Sequence, residues 1–113
     1  MIKIYPNTVV YVLAPAQRHS GGPELLHQLA VHLLHHGVDV RMYYVPQALE
    51  DPVDDFYKGY HVPYTRTIID QPENIIIFPE VATGFMHNIH QMQRILWWMS
   101  VDNWLKDIME SLR

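Results

Sequence analysis

The sequence predicts an α/β domain of three layers, built on a mainly parallel open sheet. Three observations carry that expectation. Residues 8–14 and 74–78 are apolar, β-branched runs without alternation, as suits strands covered on both faces. A helical stripe of leucines lies between the first run and the next strand. The elements then alternate as β-α-β-(insert)-β-α-β-α, the order of an open sheet with helices on both faces. With 113 residues, 49% of them hydrophobic, the chain has the length and the apolar content of a single domain over 1–113.

The first strand is TVVYVLA, residues 8–14. A polar, glycine-containing loop follows over 15–22. Residues 23–36 read as a helix, with Pro23 at the first helical position, where a missing N–H costs nothing. Leu25, Leu26, Leu29, Ala30, Leu33 and Leu34 form its apolar stripe, and Gly37 ends it. In residues 38–45, Val38, Val40, Met42 and Tyr44 alternate with Asp39, Arg41 and Tyr43, a strand near the sheet margin. A right-handed parallel crossover joins the two strands.

Residues 46–72 form an irregular insert, broken by Pro46, Pro52, Pro63 and Pro72 and made acidic by Glu50, Asp51, Asp54 and Asp55. A structureless loop of this length is unusual in a compact domain, so a short helix is expected near 53–58 and a short strand near 65–69. NIIIF at 74–78 is the next buried strand. A short helix within 82–92 would bury Phe85, Ile89 and Met92 at i, i+4 and i+7. RILWWMSV at 94–101 is a further strand, and 103–113 a last helix with Asp102 as its cap.

Composition excludes several function classes. The chain has no cysteine, which removes disulfide scaffolds, zinc ribbons and thiol chemistry. Eight Lys and Arg against 12 Asp and Glu give a net charge of −4, the wrong sign for a nucleic-acid binder. The apolar run near the N-terminus is too short to span a bilayer and lacks a small-residue cleavage site, so the cytoplasm is the expected compartment.

Ligands of parallel sheets bind beyond the C-terminal strand ends. That rule selects residues 15–24, 46 onward, 79–83 and 100–103. In the first of these, Gly21 and Gly22 precede a helix whose first-turn N–H groups suit a phosphate. His19 and Ser20 share that loop and could meet a phosphate or hydroxyl. Pro23 removes one donor and Glu24 adds a negative charge, and the pattern is neither GxGxxG nor a Walker A loop. Glu80 and Asp102 stand at the ends of two later strands. Each also serves as a simple helix-start residue, and Asp102 is otherwise a candidate general base or acceptor ligand.

Among the eight histidines, His32 and His36 lie at i, i+4, the spacing of paired metal ligands. They have neither the zincin Glu nor a cysteine, so a solvated face is expected and no metal is assigned. His87 and His90 carry still less. Trp97 and Trp98 point to opposite faces of a strand, and core packing is the expectation for both. The aromatic, acidic insert offers either an acceptor lip or a partner surface, beside the plainer role of a solvated loop.

A strand followed by GG-x-E-LL-x-x-LA-x-x-L-x-x-x-G-x-x-V resembles the opening of the N-terminal, acceptor-side Rossmann-like domain of GT-B glycosyltransferases. NIIIFPEV followed by RILWWMSVDNW resembles bacterial sugar transferases of polysaccharide biosynthesis. The resemblance implies transfer of a sugar from a nucleotide diphosphate sugar to a glycan or lipid-linked acceptor, in a cleft between two domains. It implies that His19, Ser20, Gly21, Gly22, Glu80 and Asp102 face that cleft and bind substrate, with Asp102 the candidate catalytic residue. Many such enzymes place a His before the Asp, whereas Val101 stands here.

The resemblance assigns the nucleotide-sugar mainly to a second, C-terminal domain with its own acidic pair. The 113 residues alone are therefore expected to bind no cofactor and to be catalytically silent. The full enzyme is compatible with peripheral membrane association and with a homo-oligomer. The competing expectations are a non-catalytic Rossmann-like binding module and a flavodoxin- or receiver-like domain. A receiver needs an acidic pair after the first strand, where Ala14 and Pro15 stand.

Overall fold

The computed structural model describes residues 2–16, 21–45, 50–79 and 87–97. Four strands and two helices are found there: β1 (Val9–Pro15), α1 (Gly21–His35), β2 (Asp39–Val45), α2 (Asp55–Lys58), β3 (Ile75–Pro79) and β4 (Gln93–Trp97). The strands form one sheet in the order β2-β1-β3-β4, and every pair is parallel. The α/β class and the parallel open sheet are thus as the apolar runs imply.

The non-alternating runs are buried on both faces, which explains their composition. Val10, Val12, Ala14, Val40, Met42, Tyr44, Ile75 and Ile77 face α1 and pack on its Leu26 and Ala30. Tyr11, Leu13, Tyr43, Ile76 and Phe78 face the other way, against Ile89 and Met92. Within the described residues that second face is closed by irregular chain. The Tyr11 hydroxyl accepts the Ile69 N–H at 3.1 Å. The Asp70 carboxylate accepts the N–H groups of His90, Gln91 and Met92 at 2.7, 3.0 and 2.7 Å. Buried Asn74 ties the opposite edge, accepting from the Val9 N–H and donating to the Ile69 carbonyl.

α1 closes on a Schellman turn. The Gly37 N–H donates to the Leu34 carbonyl and the Val38 N–H to that of Leu33, both at 3.1 Å. Gly37 adopts φ +82°, the left-handed conformation that this turn requires. β2 lies at one end of the strand order, the marginal position that its alternation predicts. Its outer edge is not bare. Met42 donates to the Pro63 carbonyl and accepts from the Thr65 N–H, which makes a parallel bridge with Tyr64. With Tyr64 counted as a rudimentary strand, the order in the chain's own sequence becomes 3-2-1-4-5, the Rossmann order.

Several expectations need correction. α1 begins at Gly21, before Pro23, because the first turn tolerates both glycine and proline. Leu25 lies off the buried stripe and is 39% exposed. No strand forms over 65–69. Pairing with β2 ends after the single Tyr64 bridge, and the chain turns to cover Tyr11. Ile89 and Met92 are buried, but residues 87–88 make only a 3-10 turn and residues 90–92 form bends held by Asp70 rather than an α-helix. Residues 82–86 of the expected 82–92 helix, residues 98–101 of the last expected strand and the 103–113 helix lie outside the described residues.

Candidate functional site at the C-terminal edge of the sheet

Because all four strands are parallel, the chain leaves each of them at one edge. β1 ends at Pro15, β2 at Val45, β3 at Pro79 and β4 at Trp97. β1 sends its next connection to β2 on one side, while β3 flanks it on the other. The gap between β1 and β3 is therefore the switch point where open sheets take ligands. Pairing also loosens there. The β1–β3 register stops at Val12↔Ile77, although β1 continues to Pro15 and β3 to Pro79. On either side, β1–β2 pairing runs to Pro15↔Val45 and β3–β4 pairing to Pro79↔Trp97. The Ala16 N–H prolongs the first of these by donating to the Val45 carbonyl at 2.8 Å.

Gly21 and Gly22 open α1, the helix that follows β1, and so start the element that returns from this edge. Glu24 lies in the first turn, where an acid favours the helix dipole and disfavours an anion. Of the other sequence-predicted residues, Glu80 follows directly after Pro79, the last residue of β3. Glu80, His19, Ser20 and Asp102 lie outside the described residues. The edge thus gathers the start of α1 and the end of β3.

Sequence reasoning missed His27. It is 1% exposed and occupies the second turn of α1, under the insert. Its Nδ1 lies 2.6 Å from the Pro23 carbonyl, which can only accept, so Nδ1 carries the proton. Nε2 is then the acceptor, and the Tyr44 hydroxyl donates to it at 2.6 Å. The imidazole stacks on the Tyr57 ring of α2 with centroids 3.8 Å apart and planes at 6°. Burial holds the His27 pKa below its ordinary value, outweighing the Pro23 contact and the charge of Asp54. Burial likewise pushes the Tyr44 phenol up, helped by Tyr57 and Tyr64. The signal was present in the sequence: His27 stands three residues before Ala30, on the buried side of the stripe.

α2 is a single turn capped by Asp54, whose carboxylate accepts the Phe56 N–H at 3.0 Å. Lys58 ties it to the preceding turn through Asp51 at 2.6 Å and pairs within the helix with Asp55 at 2.8 Å. Beneath the insert, His27, Tyr44, Tyr57, Val62 and Tyr64 line a cavity of about 220 Å³. At the helix end the His36 Nδ1–H donates to the His32 carbonyl at 2.8 Å. Among the described residues no group of three His, Asp or Glu is arranged to hold a metal ion. None of the described helices is long and apolar enough to cross a membrane.

The architecture defines a parallel α/β domain whose β1–β3 switch point lies at the C-terminal edge of the sheet. No protein-family model, characterised protein or solved structure matches the chain, so its own residues carry the functional argument.

Proposed function

We propose that this domain forms the acceptor-side wall of a GT-B-type glycosyltransferase cleft. The complete catalyst would transfer a sugar from a nucleotide diphosphate sugar to a glycan or lipid-linked acceptor. The observation that supports this most is the loosened β1–β3 switch point beside the glycine pair that opens α1. Rossmann strand order, with Tyr64 as the rudimentary outer strand, is consistent with it. Here Gly21 and Gly22 would let a phosphate or a sugar hydroxyl approach the backbone. Glu80 and Asp102 would supply carboxylates from the ends of later strands, with Asp102 as the candidate base, and His19 and Ser20 would add polar contacts.

The leaving diphosphate needs stabilisation from a second, donor-binding domain. An assay with a panel of nucleotide sugars and acceptors tests this. The 113-residue protein alone is expected to be silent, and addition of a donor-binding domain to give turnover that Asp102→Asn abolishes. Turnover by the isolated protein would contradict the proposal.

The alternative, a binding module with this fold and no chemistry, is favoured if ligands shift the C-terminal edge while no partner domain restores turnover.

A further inference from the structure

A second concave site lies away from the strand ends, between the outer face of α1 and the turn that follows α2. The groove has a volume of about 490 Å³, within the roughly 300–1,000 Å³ usual for small-molecule sites. Gln28, His32 and His35 reach it from α1, and Tyr60 and His61 from the turn, over Val31 and Gly59.

Three features set it apart. Among the described residues, no hydrogen bond engages the imidazoles of His32, His35 or His61. His61 adopts φ +57°, the one non-glycine residue in the left-handed region among the described residues. Such strain persists where the surroundings hold it and often marks a ligand site. At Gly59, the space that a Cβ would enter is open within 4 Å.

We infer that this groove binds a neutral, hydroxyl-bearing ring, a sugar unit, between α1 and the His61 turn. The lining contains no Asp, Glu, Lys or Arg, so a charged ligand would meet no permanent counter-charge. Neutral imidazole, amide and phenol groups both donate and accept, which matches hydroxyl groups that do the same. The Tyr60 ring and Val31 supply the apolar surface against which a ring stacks. The three histidines are not gathered as a metal centre. This inference stands on the groove alone and is independent of the sugar-transfer proposal.

The test is an NMR titration of the full chain with neutral disaccharides (maltose, lactose, cellobiose and chitobiose), reading the imidazole and Gly59 resonances. At least one disaccharide is expected to shift His32, His35, His61 and Gly59 saturably, while inorganic phosphate leaves them unmoved. Gly59→Leu fills the groove at φ −67°, a conformation any residue adopts, and should weaken binding at least tenfold. His61→Gly relieves the backbone and should also weaken binding at least tenfold while the melting temperature holds or rises. Absence of saturable shifts with all four disaccharides would overturn the inference. So would equal shifts with phosphate, or unchanged binding by Gly59→Leu.

Discussion

His27 shows how one buried side chain orders the top of α1, the end of β2 and the insert together. Its ring donates to Pro23, accepts from Tyr44 and stacks on Tyr57. Tyr44→Phe leaves Nε2 buried without a donor and should cost about 1–3 kcal/mol in denaturant unfolding. His27→Ala also opens a cavity under Tyr57 and should cost more, about 2–4 kcal/mol. The His27 pKa is lowered on folding, so the unfolded chain binds more protons below its ordinary value of 6.5. Its contribution is complete above that pH and declines as pH falls through 6.5 toward the lowered folded value. A variant such as His27→Phe, if folded, should lose that part of the pH slope in unfolding curves collected between pH 7 and pH 5. Asp70 acts in a lower window. Desolvation pushes its carboxyl up, but the three N–H groups together bring it below the usual carboxylate range. Its contribution is therefore present above about pH 3.8 and lost as pH falls through the lowered value. Asp70→Ala should cost about 1–2 kcal/mol at neutral pH, read by urea unfolding, since the site is exposed enough for water to replace part of the interaction.

At the scale of elements, legibility followed periodicity. β1 and β3 were readable because burial on both faces demands unbroken apolar runs, and β2 because its alternation reported a marginal position. α1 was readable from its leucine stripe and from Gly37. Gly37→Ala should destabilise by about 1 kcal/mol, since φ +82° strains any residue with a Cβ, and thermal melts measure it directly. The 65–69 segment was misread because its β-branched residues match a strand while their partner is the Tyr11 hydroxyl and the second face, not a neighbouring strand. Ile89 and Met92 were correctly placed in the core, but their spacing alone does not distinguish a helix from bends pinned by a distant carboxylate. That carboxylate, Asp70, lies some twenty residues upstream, and local pattern carries no trace of it. Among the candidate site residues, the glycine pair could be read as a loop-to-helix junction. The His27 cluster could not, because it depends on Tyr44 and Tyr57 arriving from two other elements.

For the whole molecule, the parallel pairing of the four described strands is what brings the ends of β1 and β3 and the start of α1 to one edge. It sends the chain out of β1 and β3 at one edge and leaves their pairing short where the glycine pair opens α1. Acid placed there should separate stability from binding. Gly22→Glu improves helix propensity and complements the dipole, so stability should hold or rise by a few tenths of a kcal/mol. The same change should repel the phosphate of a lipid-linked acceptor headgroup and lower its affinity at least tenfold, as calorimetry would register. The most direct measurement is an amide NMR titration of the isotope-labelled chain with acceptor fragments, namely glycan oligosaccharides and the sugar-phosphate headgroup of a lipid-linked acceptor. The account predicts saturable shifts at Gly21, Gly22, Ala16 and Glu80, with Lys3, Asn74 and Gln93 at the opposite edge unmoved. Saturable shifts at those three with none at the glycine pair, or no response anywhere to any acceptor fragment, would contradict it.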